Sequence, residues 1–284
     1  VERSRIEVMQ HFLHGQNLGL SLCKQFKSGN NYVHAFITDK IIESSYVSNR
    51  TSEITSVFPL YLYSNDKELG KLYEHHPRTP NLKMEIVSEF EEKLQMQFVE
   101  EKTVGNVCFA NSNEELQDDY KEVFAPIDIL DYIYAALHSP TYRDKYKEFL
   151  KIDFPRVPYP KDKKTFWQLV KLGSELRQIH LMESSLLNSL IKEYPFVGYG
   201  DNVVDKLDYF EGKVHINSIQ YFDGVPLIAW EFFIGGYQPA QKWLKDRRGS
   251  KLEYDDIIHY KRIIGSLTQT SRLMKEIDKI WSDF

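Results

Sequence analysis

Apolar and polar residues alternate in the first quarter of the chain, and this alternation predicts strands. Residues 18–24 and 32–38 have a period of two, which is typical of half-buried strands. A Ser-Gly-Asn-Asn turn signal at residues 28–31 separates them. Residues 57–63 form a third predicted strand, and Pro59 favours an edge position because proline cannot donate to a sheet ladder. Residues 66–80 are predicted to be a loop.

Apolar residues spaced by three or four positions predict helices over much of the remaining chain. These helices cover residues 4–13, 83–98, 127–138, 142–150, 164–182, 227–233, 239–245 and 255–281. Three more strands are predicted at residues 202–210, 213–217 and 220–222, with Glu211-Gly212 and Asp223-Gly224 as turns. The pattern indicates an α+β fold: a mixed sheet packed with helices in residues 1–193, then a smaller strand-plus-helix part in residues 194–284. The two parts could also pack intimately as one unit.

Residues 131–160 combine helix, break and proline-fixed extended chain in an unusual order. Ser139-Pro140 ends one helix, because the residue before a proline is displaced from the α region, and Pro140 suits the first turn of the next. Residues 154–160 read Phe-Pro-Arg-Val-Pro-Tyr-Pro, which excludes a helix and a central strand. This stretch resembles the C-terminal target-recognition domain of type ISP restriction–modification enzymes, a group of N6-adenine DNA methyltransferases. In that family a Leu-His-Ser-Pro-x-Tyr-Arg helix leads into Phe-Pro-Arg-x-Pro-Tyr-Pro.

Further blocks extend the resemblance over nearly the whole chain, and it is weakest in residues 67–122. They are Asn-Leu-Gly-Leu at 17–20, Thr-Asp-Lys-Ile-Ile at 38–42, Thr-Ser-Glu-Ile at 51–54 and Trp-Glu-Phe-Phe-Ile-Gly-Gly-Tyr-Gln-Pro at 230–239. The resemblance implies double-stranded DNA as a partner. It also implies a catalytic domain upstream of Val1, which binds S-adenosylmethionine. The chain begins at Val1 instead of Met, so we expect a piece of a longer protein.

Composition is that of a globular chain, and its charge is unevenly distributed. The net charge is −5, yet residues 141–177 carry a net +5 and residues 242–262 a net +3, whereas residues 85–122 carry −8. Local basic segments suit phosphate binding, and the alternative is that each charge run is a solvated helix face. No apolar run reaches membrane-span length, and two cysteines form no disulfide framework, so a cytoplasmic protein is expected.

Residue patterns for catalysis are missing. An adenine methyltransferase grips its flipped base with an (Asn/Asp)-Pro-Pro-(Tyr/Phe) loop, and the chain has no Pro-Pro pair. The Gly-Tyr-Gly at 198–200 follows no convincing parallel strand, so a simple turn is favoured over a cofactor loop. His11 and His14, or His75 and His76, lack partners at ligand spacing, and no metal site is predicted.

Residues 39–53 are dense in hydrogen-bonding side chains of the types that read base edges. Arginine pairs with guanine, asparagine with adenine, and serine or threonine with either. The candidates are Lys40, Ser44, Tyr46, Ser48, Asn49, Arg50 and Thr51. The alternative is an irregular connection in which these side chains cap turns.

Two further groups are candidates for gripping DNA. Lys161, Lys163 and Lys164 follow the proline segment and suit phosphate contact, and Arg143 could contact phosphate or pair with Asp144 or Glu148. The second group follows Gly235-Gly236, which could allow close backbone approach or cap a helix; its members are Tyr237, Gln238, Lys242, Arg247 and Arg248.

We therefore interpret the chain as a sequence-specific DNA recognition domain with no catalytic residues. The alternative is a protein–protein coupling module in the same assembly, using the long C-terminal helix.

We expect the isolated chain to neither bind S-adenosylmethionine nor transfer a methyl group, because it lacks both the Pro-Pro loop and a strand–glycine-turn–helix unit. Titration calorimetry checks this, and micromolar cofactor binding would contradict it.

Overall fold

A three-stranded antiparallel sheet forms the N-terminal side of the protein in the computed structural model, which describes residues 5–13, 15–25, 32–47, 53–64, 78–101 and 122–281. Strand β1 (Gly19–Cys23) lies between β2 (Ala35–Thr38) and β3 (Thr55–Pro59), with Leu20 opposite Ile37 and Phe58. The two alternating segments are thus confirmed as strands, and Pro59 lies on an edge strand as predicted. The turn predicted at residues 28–31 lies outside the described residues.

The chain changes its pairing partner at Leu60, so the strand predicted over residues 57–63 is two strands. Leu60 donates its N–H to the carbonyl of Leu18 (2.7 Å) and accepts from the N–H of Asn81 (2.9 Å). Beyond it, β4 (Tyr61–Tyr63) pairs with β5 (Arg78–Pro80) in antiparallel orientation. The prediction of a loop over residues 66–80 is therefore wrong for its last three residues, and residues 66–77 lie outside the described residues.

Helices follow the predicted order, with ends set by local backbone chemistry. A short α1 (Ile6–Met9) runs into a 3₁₀ turn, and α2 (Met84–Leu94) ends four residues earlier than predicted. Gln95 there adopts a left-handed conformation (φ 52°), and the Glu91 carboxylate accepts the N–H of Phe98 (2.8 Å). This places β6 (Gln97–Phe98) beside β7 (Val123–Phe124) in a parallel pair.

The central helices are α3 (Pro126–His138), α4 (Pro140–Lys145), α5 (Lys147–Leu150) and α6 (Lys163–His180). Ser139 caps α4, because its Oγ accepts the N–H of Tyr142 (3.0 Å). A break at Tyr146 divides the helix predicted over residues 142–150 into α4 and α5. The proline segment between α5 and α6 is neither helix nor strand, which agrees with the exclusion of a helix and a central strand there.

The C-terminal part contains a second sheet and a long helix. The sheet order is β8 (Phe196–Val197), β11 (Tyr221–Phe222), β10 (Lys213–His215) and β9 (Asp208–Phe210), and a positive-φ turn at Glu211 and Gly212 joins β9 to β10. The remaining helices are α7 (Leu186–Leu190), α8 (Leu227–Trp230), α9 (Pro239–Lys245) and α10 (Tyr254–Trp281). No helix in the described ranges is long and apolar enough to cross a membrane.

The hydrophobic core is continuous across the position predicted as a domain boundary. Helix α10 packs against α3, α4 and α6, and it also contacts α7, α8 and α9. Buried side chains of the first part, such as Leu137 and Leu176, belong to one cluster with Ile264 and Trp281 of α10. The α+β fold ending in a long helix is confirmed, and the division at residue 193 stays a prediction.

Helices α3 and α6 meet at Gly173. A Cβ atom there would collide with the backbone carbonyl of Asp131, so the two backbones approach as closely as they do only because residue 173 has no side chain. One turn later, Arg177 clamps the Asp131 carboxylate through Nε (2.7 Å) and Nη2 (3.0 Å). Such a bidentate pair fixes orientation as well as distance.

A chain of hydrogen bonds joins α3, α6 and α10 inside the core. The hydroxyl of Thr270 donates to the carbonyl of Ser266 (2.8 Å), so its oxygen accepts from Nε2–H of His180 (2.9 Å). His180 is then protonated on Nε2, and in the neutral ring Nδ1 accepts from the Tyr134 hydroxyl (2.6 Å). Desolvation, reinforced by the charge of Arg143, lowers the pKa of His180 to about 4 and keeps the ring neutral.

We expect Gly173→Ala to destabilise the protein by about 3 kcal/mol, at the upper end of overpacking costs, despite a gain of about 1 kcal/mol in helix propensity. Urea denaturation measures the change. The matched control is Gly265→Ala in α10, where the added Cβ lies 3.4 Å from the flexible Leu190 Cδ1. The control should stay within about 1 kcal/mol of wild type, and equal losses in both variants would contradict the close-packing argument.

We expect stability to fall as the pH drops from 6.5 towards 4. Desolvation lowers the pKa of both His138 and His180 in the folded protein. The unfolded chain therefore binds more protons below pH 6.5, and each histidine adds a slope of about 1.4 kcal/mol per pH unit. Denaturation between pH 6.5 and 5 measures this slope before most carboxylates titrate. In His180→Gln one fewer proton is taken up on unfolding, so the slope of the free energy of unfolding against pH should fall by about 1.4 kcal/mol per pH unit. A flat profile in wild type would contradict the assignment of neutral histidines.

Candidate nucleic-acid interface

The polar connection at residues 39–53 is fixed to the sheet on both sides of its centre. Ser44 accepts the N–H of Thr55 through its carbonyl (2.8 Å), and Val47 is fully buried. Glu53, where the chain is described again, is buried against His34, with 3.3 Å between carboxylate and ring. Four of the predicted base-reading residues, Ser48, Asn49, Arg50 and Thr51, lie outside the described residues.

Tyr46 serves the packing of this connection. Its hydroxyl is hydrogen-bonded to Ser21 Oγ of β1 (2.8 Å), and its ring packs edge-on against Phe36 of β2 (5.5 Å). Burial raises the pKa of Tyr46, so the phenol stays neutral. Lys40 is exposed and pairs with Asp39 (2.6 Å). Of the three described candidates in this connection, Lys40 is exposed, whereas Ser44 and Tyr46 are half-buried.

The glycine pair meets this connection directly. Gly235 has φ 55° and donates its N–H to the carbonyl of Val33 (3.0 Å), while Gly236 donates to the carbonyl of Val47 (3.1 Å). A Cβ at Gly235 would collide with that same Val47 carbonyl. Of the two readings of the glycine pair, close approach to another chain segment is the one observed, since α8 already ends at Trp230.

Two predicted contact segments, about 190 residues apart in sequence, therefore lie on one surface. The Tyr237 hydroxyl donates to the carbonyl of Tyr46 (3.3 Å). Beside this contact is a surface depression of about 260 Å³, lined by Phe233, Gly236, Tyr237, Gln238, Gln241, Lys242, Lys245 and Asp246. We call these residues, together with residues 39–47, the joint surface. It combines amide and ammonium donors of the kinds that contact bases and phosphates.

Cations on the joint surface and just beyond it differ in how strongly they are held. Lys242 pairs with Asp246 (2.7 Å) one helical turn away. Arg247 lies 3.5 Å from the centre of the Trp243 ring and 3.5 Å from the Asp256 carboxylate. Arg248 is exposed, and within the described part of the chain its side chain makes no hydrogen bond or ion pair. Arg248 therefore has no described side-chain contact to break before it binds a phosphate group.

Sequence reasoning missed Gln241, which lies in the depression between Gln238 and Lys245. Its Nε2 donates to the carbonyl of Trp230 (3.1 Å), and its Oε1 accepts from Lys245 (3.0 Å). The available signal was its spacing, because a residue three positions after Gln238 lies on the same face of α9.

A rigid proline segment leads to the lysine group at residues 161–164. The hydroxyls of Tyr132 and Tyr142 donate to the carbonyls of Pro158 (2.8 Å) and Arg156 (3.0 Å), which fixes the segment to the helical core. Asp162 then caps α6 by accepting the N–H of Thr165 (2.7 Å). Lys161 and Lys164 are exposed and Lys163 is half-buried. Their predicted phosphate contact stays a prediction.

Arg143 points inward. Its Nε donates to the carbonyl of Leu137 (2.6 Å), and the half-buried side chain lines a solvent-open cavity together with His138 and His180. Glu148, one of the two predicted ion-pair partners, pairs with Lys151 instead (2.7 Å). A phosphate contact through Arg143 therefore requires the phosphate group to enter the cavity.

Metal chemistry has no support in the described ranges, where no group of three or more His, Cys, Asp or Glu side chains is arranged to hold an ion. His11 is buried, and its Nδ1 accepts the N–H of Tyr63 (3.0 Å). His14, His75 and His76 lie outside the described residues.

A family model described as the Type ISP C-terminal specificity domain matches residues 1–276. The chain belongs to this family. The resemblance found in the sequence motifs is thereby confirmed for almost the full length of the specificity domain. No curated protein matches the chain.

Solved structures show the same fold. The ATP-dependent Type ISP restriction-modification enzyme LlaBIII bound to DNA superposes with a TM-score of 0.65 and 17% identity, covering 98% of the specificity domain and 17% of that chain. The DrdV–DNA complex gives 0.63 and 17%, covering 96% and 25%. A nuclease-deletion mutant of LlaGI, in complex with a DNA substrate mimic, gives 0.55 and 17%, covering 93% and 21%. The specificity domain thus spans a quarter or less of each.

Proposed function

We propose that this specificity domain selects the target sequence on double-stranded DNA for a longer restriction–modification polypeptide and performs no chemistry itself. The observation that carries the proposal is the joint surface, where two polar segments from opposite ends of the chain are held together by backbone hydrogen bonds. Recognition needs such rigid placement, because base readout depends on hydrogen-bond geometry. The related enzymes of the same fold were solved with DNA or a DNA substrate mimic.

We further propose that the parent is an adenine-specific DNA methyltransferase, with S-adenosylmethionine and the reacting groups in an upstream domain. The resemblance of the proline segment and of the Trp-Glu-Phe-Phe-Ile-Gly-Gly-Tyr-Gln-Pro block supports this division. The lengths of the related chains also support it: the specificity domain spans 17% and 25% of two of them, so most of each chain remains for separate catalytic domains.

A coupling role between protein domains is the second candidate. The long helix α10 is a poor interface for it, because its apolar side is packed against α3, α4 and α6. A different surface favours it: Ile54, Phe58 and Leu62 are exposed along β3 and β4. An apolar contact there would be insensitive to salt, whereas phosphate binding weakens linearly in log salt.

The deciding experiment separates base reading from phosphate gripping in the full polypeptide. Arg50→Ala or Asn49→Ala should relax preference at one base position, costing about 1–3 kcal/mol on cognate DNA and little on random DNA. Lys163→Ala with Lys164→Ala should weaken both DNAs alike and lower the salt slope by roughly one unit per lost phosphate contact. Methylation of variant sites reports the first effect, and binding at several salt concentrations reports the second.

Lys192→Ala is the matched control, since Lys192 is an exposed lysine outside the predicted contact groups. Its salt slope should equal that of wild type. If site preference is unchanged in both Arg50→Ala and Asn49→Ala, the residues that read the bases must lie elsewhere, and Tyr237–Arg248 is the next segment to test. If the affinity of the wild-type protein for DNA does not depend on salt, DNA recognition through phosphate contacts is contradicted and the coupling role is favoured.

A further inference from the structure

A cavity of about 400 Å³ that is open to solvent lies between β2, α3, α4, α6, α9 and α10. Its volume falls within the range of small-molecule sites in proteins. Most of its wall is apolar, and aromatic rings from three parts of the chain contribute: Phe36, Phe232 and Trp243. The aliphatic side is formed by Ile263, Leu267 and Met274. Such walls favour a flat apolar body over a fully hydrated ion.

One end of the cavity is polar, and the hydrogen-bond pattern there fixes what it offers. His138 donates Nδ1–H to the carbonyl of Tyr134 (2.8 Å), because a carbonyl oxygen can only accept. Burial lowers the pKa of His138 well below its ordinary value, so the ring is neutral and Nε2 keeps its lone pair. The neighbouring His180 has both nitrogens engaged, with Tyr134 and Thr270. Among the described residues none donates to His138 Nε2, which can therefore accept a hydrogen bond from a ligand.

At the same polar end of the cavity, Arg143 supplies hydrogen-bond donors. Its Nε is used by the carbonyl of Leu137, while no described residue accepts from its four Nη N–H groups. In the described part of the chain no carboxylate forms an ion pair with Arg143, and burial raises the pKa of Tyr32 and Tyr134, so both phenols are neutral. The one acid in the cavity wall, Asp246, is paired with Lys242 (2.7 Å). Desolvation lowers the pKa of Arg143 to about 10, so it stays charged at neutral pH.

The guanidinium of Arg143 is half-buried and pairs with no described carboxylate, so an anion that enters the cavity would offset its partial desolvation. We propose that this cavity binds a small organic anion, in which a carboxylate or phosphate group on a flat apolar body meets the Nη groups of Arg143. The planar fork of arginine suits both anions, since each presents two oxygens at matching spacing. An O–H or N–H of the ligand meets His138 Nε2, and its body contacts Phe36 and Trp243. The cavity shares Tyr237 and Lys242 with the joint surface, but the proposed anion contacts are made by Arg143 and His138, which lie outside that surface.

The test uses fluorine NMR on the 284-residue chain labelled with 5-fluorotryptophan. The chain has four tryptophans, and Trp243→Phe identifies the resonance of the one in the cavity wall. The probes are benzoate, phenyl phosphate and neutral benzyl alcohol. We expect an anionic probe to shift the Trp243 resonance saturably, and benzyl alcohol to bind roughly tenfold or more weakly, as the loss of a charge-assisted hydrogen bond implies. Comparison of benzoate with phenyl phosphate decides between the two anionic groups.

Two variants assign the preference to Arg143. Arg143→Met should abolish the difference between charged and neutral probes, whereas the control Arg272→Met, at an exposed arginine outside the cavity and the predicted contact groups, should keep it. Circular dichroism checks the fold, and Arg143→Lys, which keeps the charge, should keep a reduced preference if the methionine variant does not fold. Equal affinities for the charged and neutral probes in wild type would overturn the proposal. So would the absence of a saturable shift at Trp243, or anion preference that survives in Arg143→Met.

Discussion

The crossing of α3 and α6 depends on a single residue of α3. The backbone carbonyl of Asp131 occupies the space that a side chain at position 173 would need, and its carboxylate is clamped by Arg177 one turn further along α6. The first contact sets the distance between the helices, and the second sets their rotation. Helix α10 then packs on this fixed pair, and the bonds from Tyr134 through His180 to Thr270 connect all three helices. The cavity and the joint surface are both built outward from this frame.

Local patterns predicted most of the elements because their causes are local. Period-two alternation identified β1 and β2, proline chemistry identified the extended segment before α6, and Pro59 indicated an edge strand. Predictions failed where a distant partner decides the conformation. Arg78–Pro80 is a strand only because β4 lies beside it, and α2 stops at Leu94 in part because the Glu91 side chain turns back to Phe98. Neither partner can be read from the spacing of apolar residues.

On the functional surface too, features with local causes were predicted and features that depend on distant partners were not. Sequence alone indicated that residues 39–53 and 235–248 carry polar and basic chemistry, but their contact depends on the tertiary fold. Tyr46 is of a residue type that can contact bases, yet its hydroxyl is hydrogen-bonded to Ser21 and its ring packs against Phe36. Arg143 belongs to a basic helix pattern that looks exposed, yet its side chain is half-buried and donates to the carbonyl of Leu137 in the preceding helix. Side-chain direction relative to a core cannot be derived before the core is known.

The fixation of Val47 and Glu53 has an implication for how such proteins diversify. Both residues are buried: the carbonyl of Val47 accepts the N–H of Gly236, and Glu53 lies against His34. The two contacts are made by residues that flank positions 48–52, so neither depends on which side chains occupy those positions. In evolutionary terms, the sequence of such an interval can change while the residues that fix its two ends stay constant. Protein engineers can treat the same interval as a place for randomised libraries, with the folded frame as a constant.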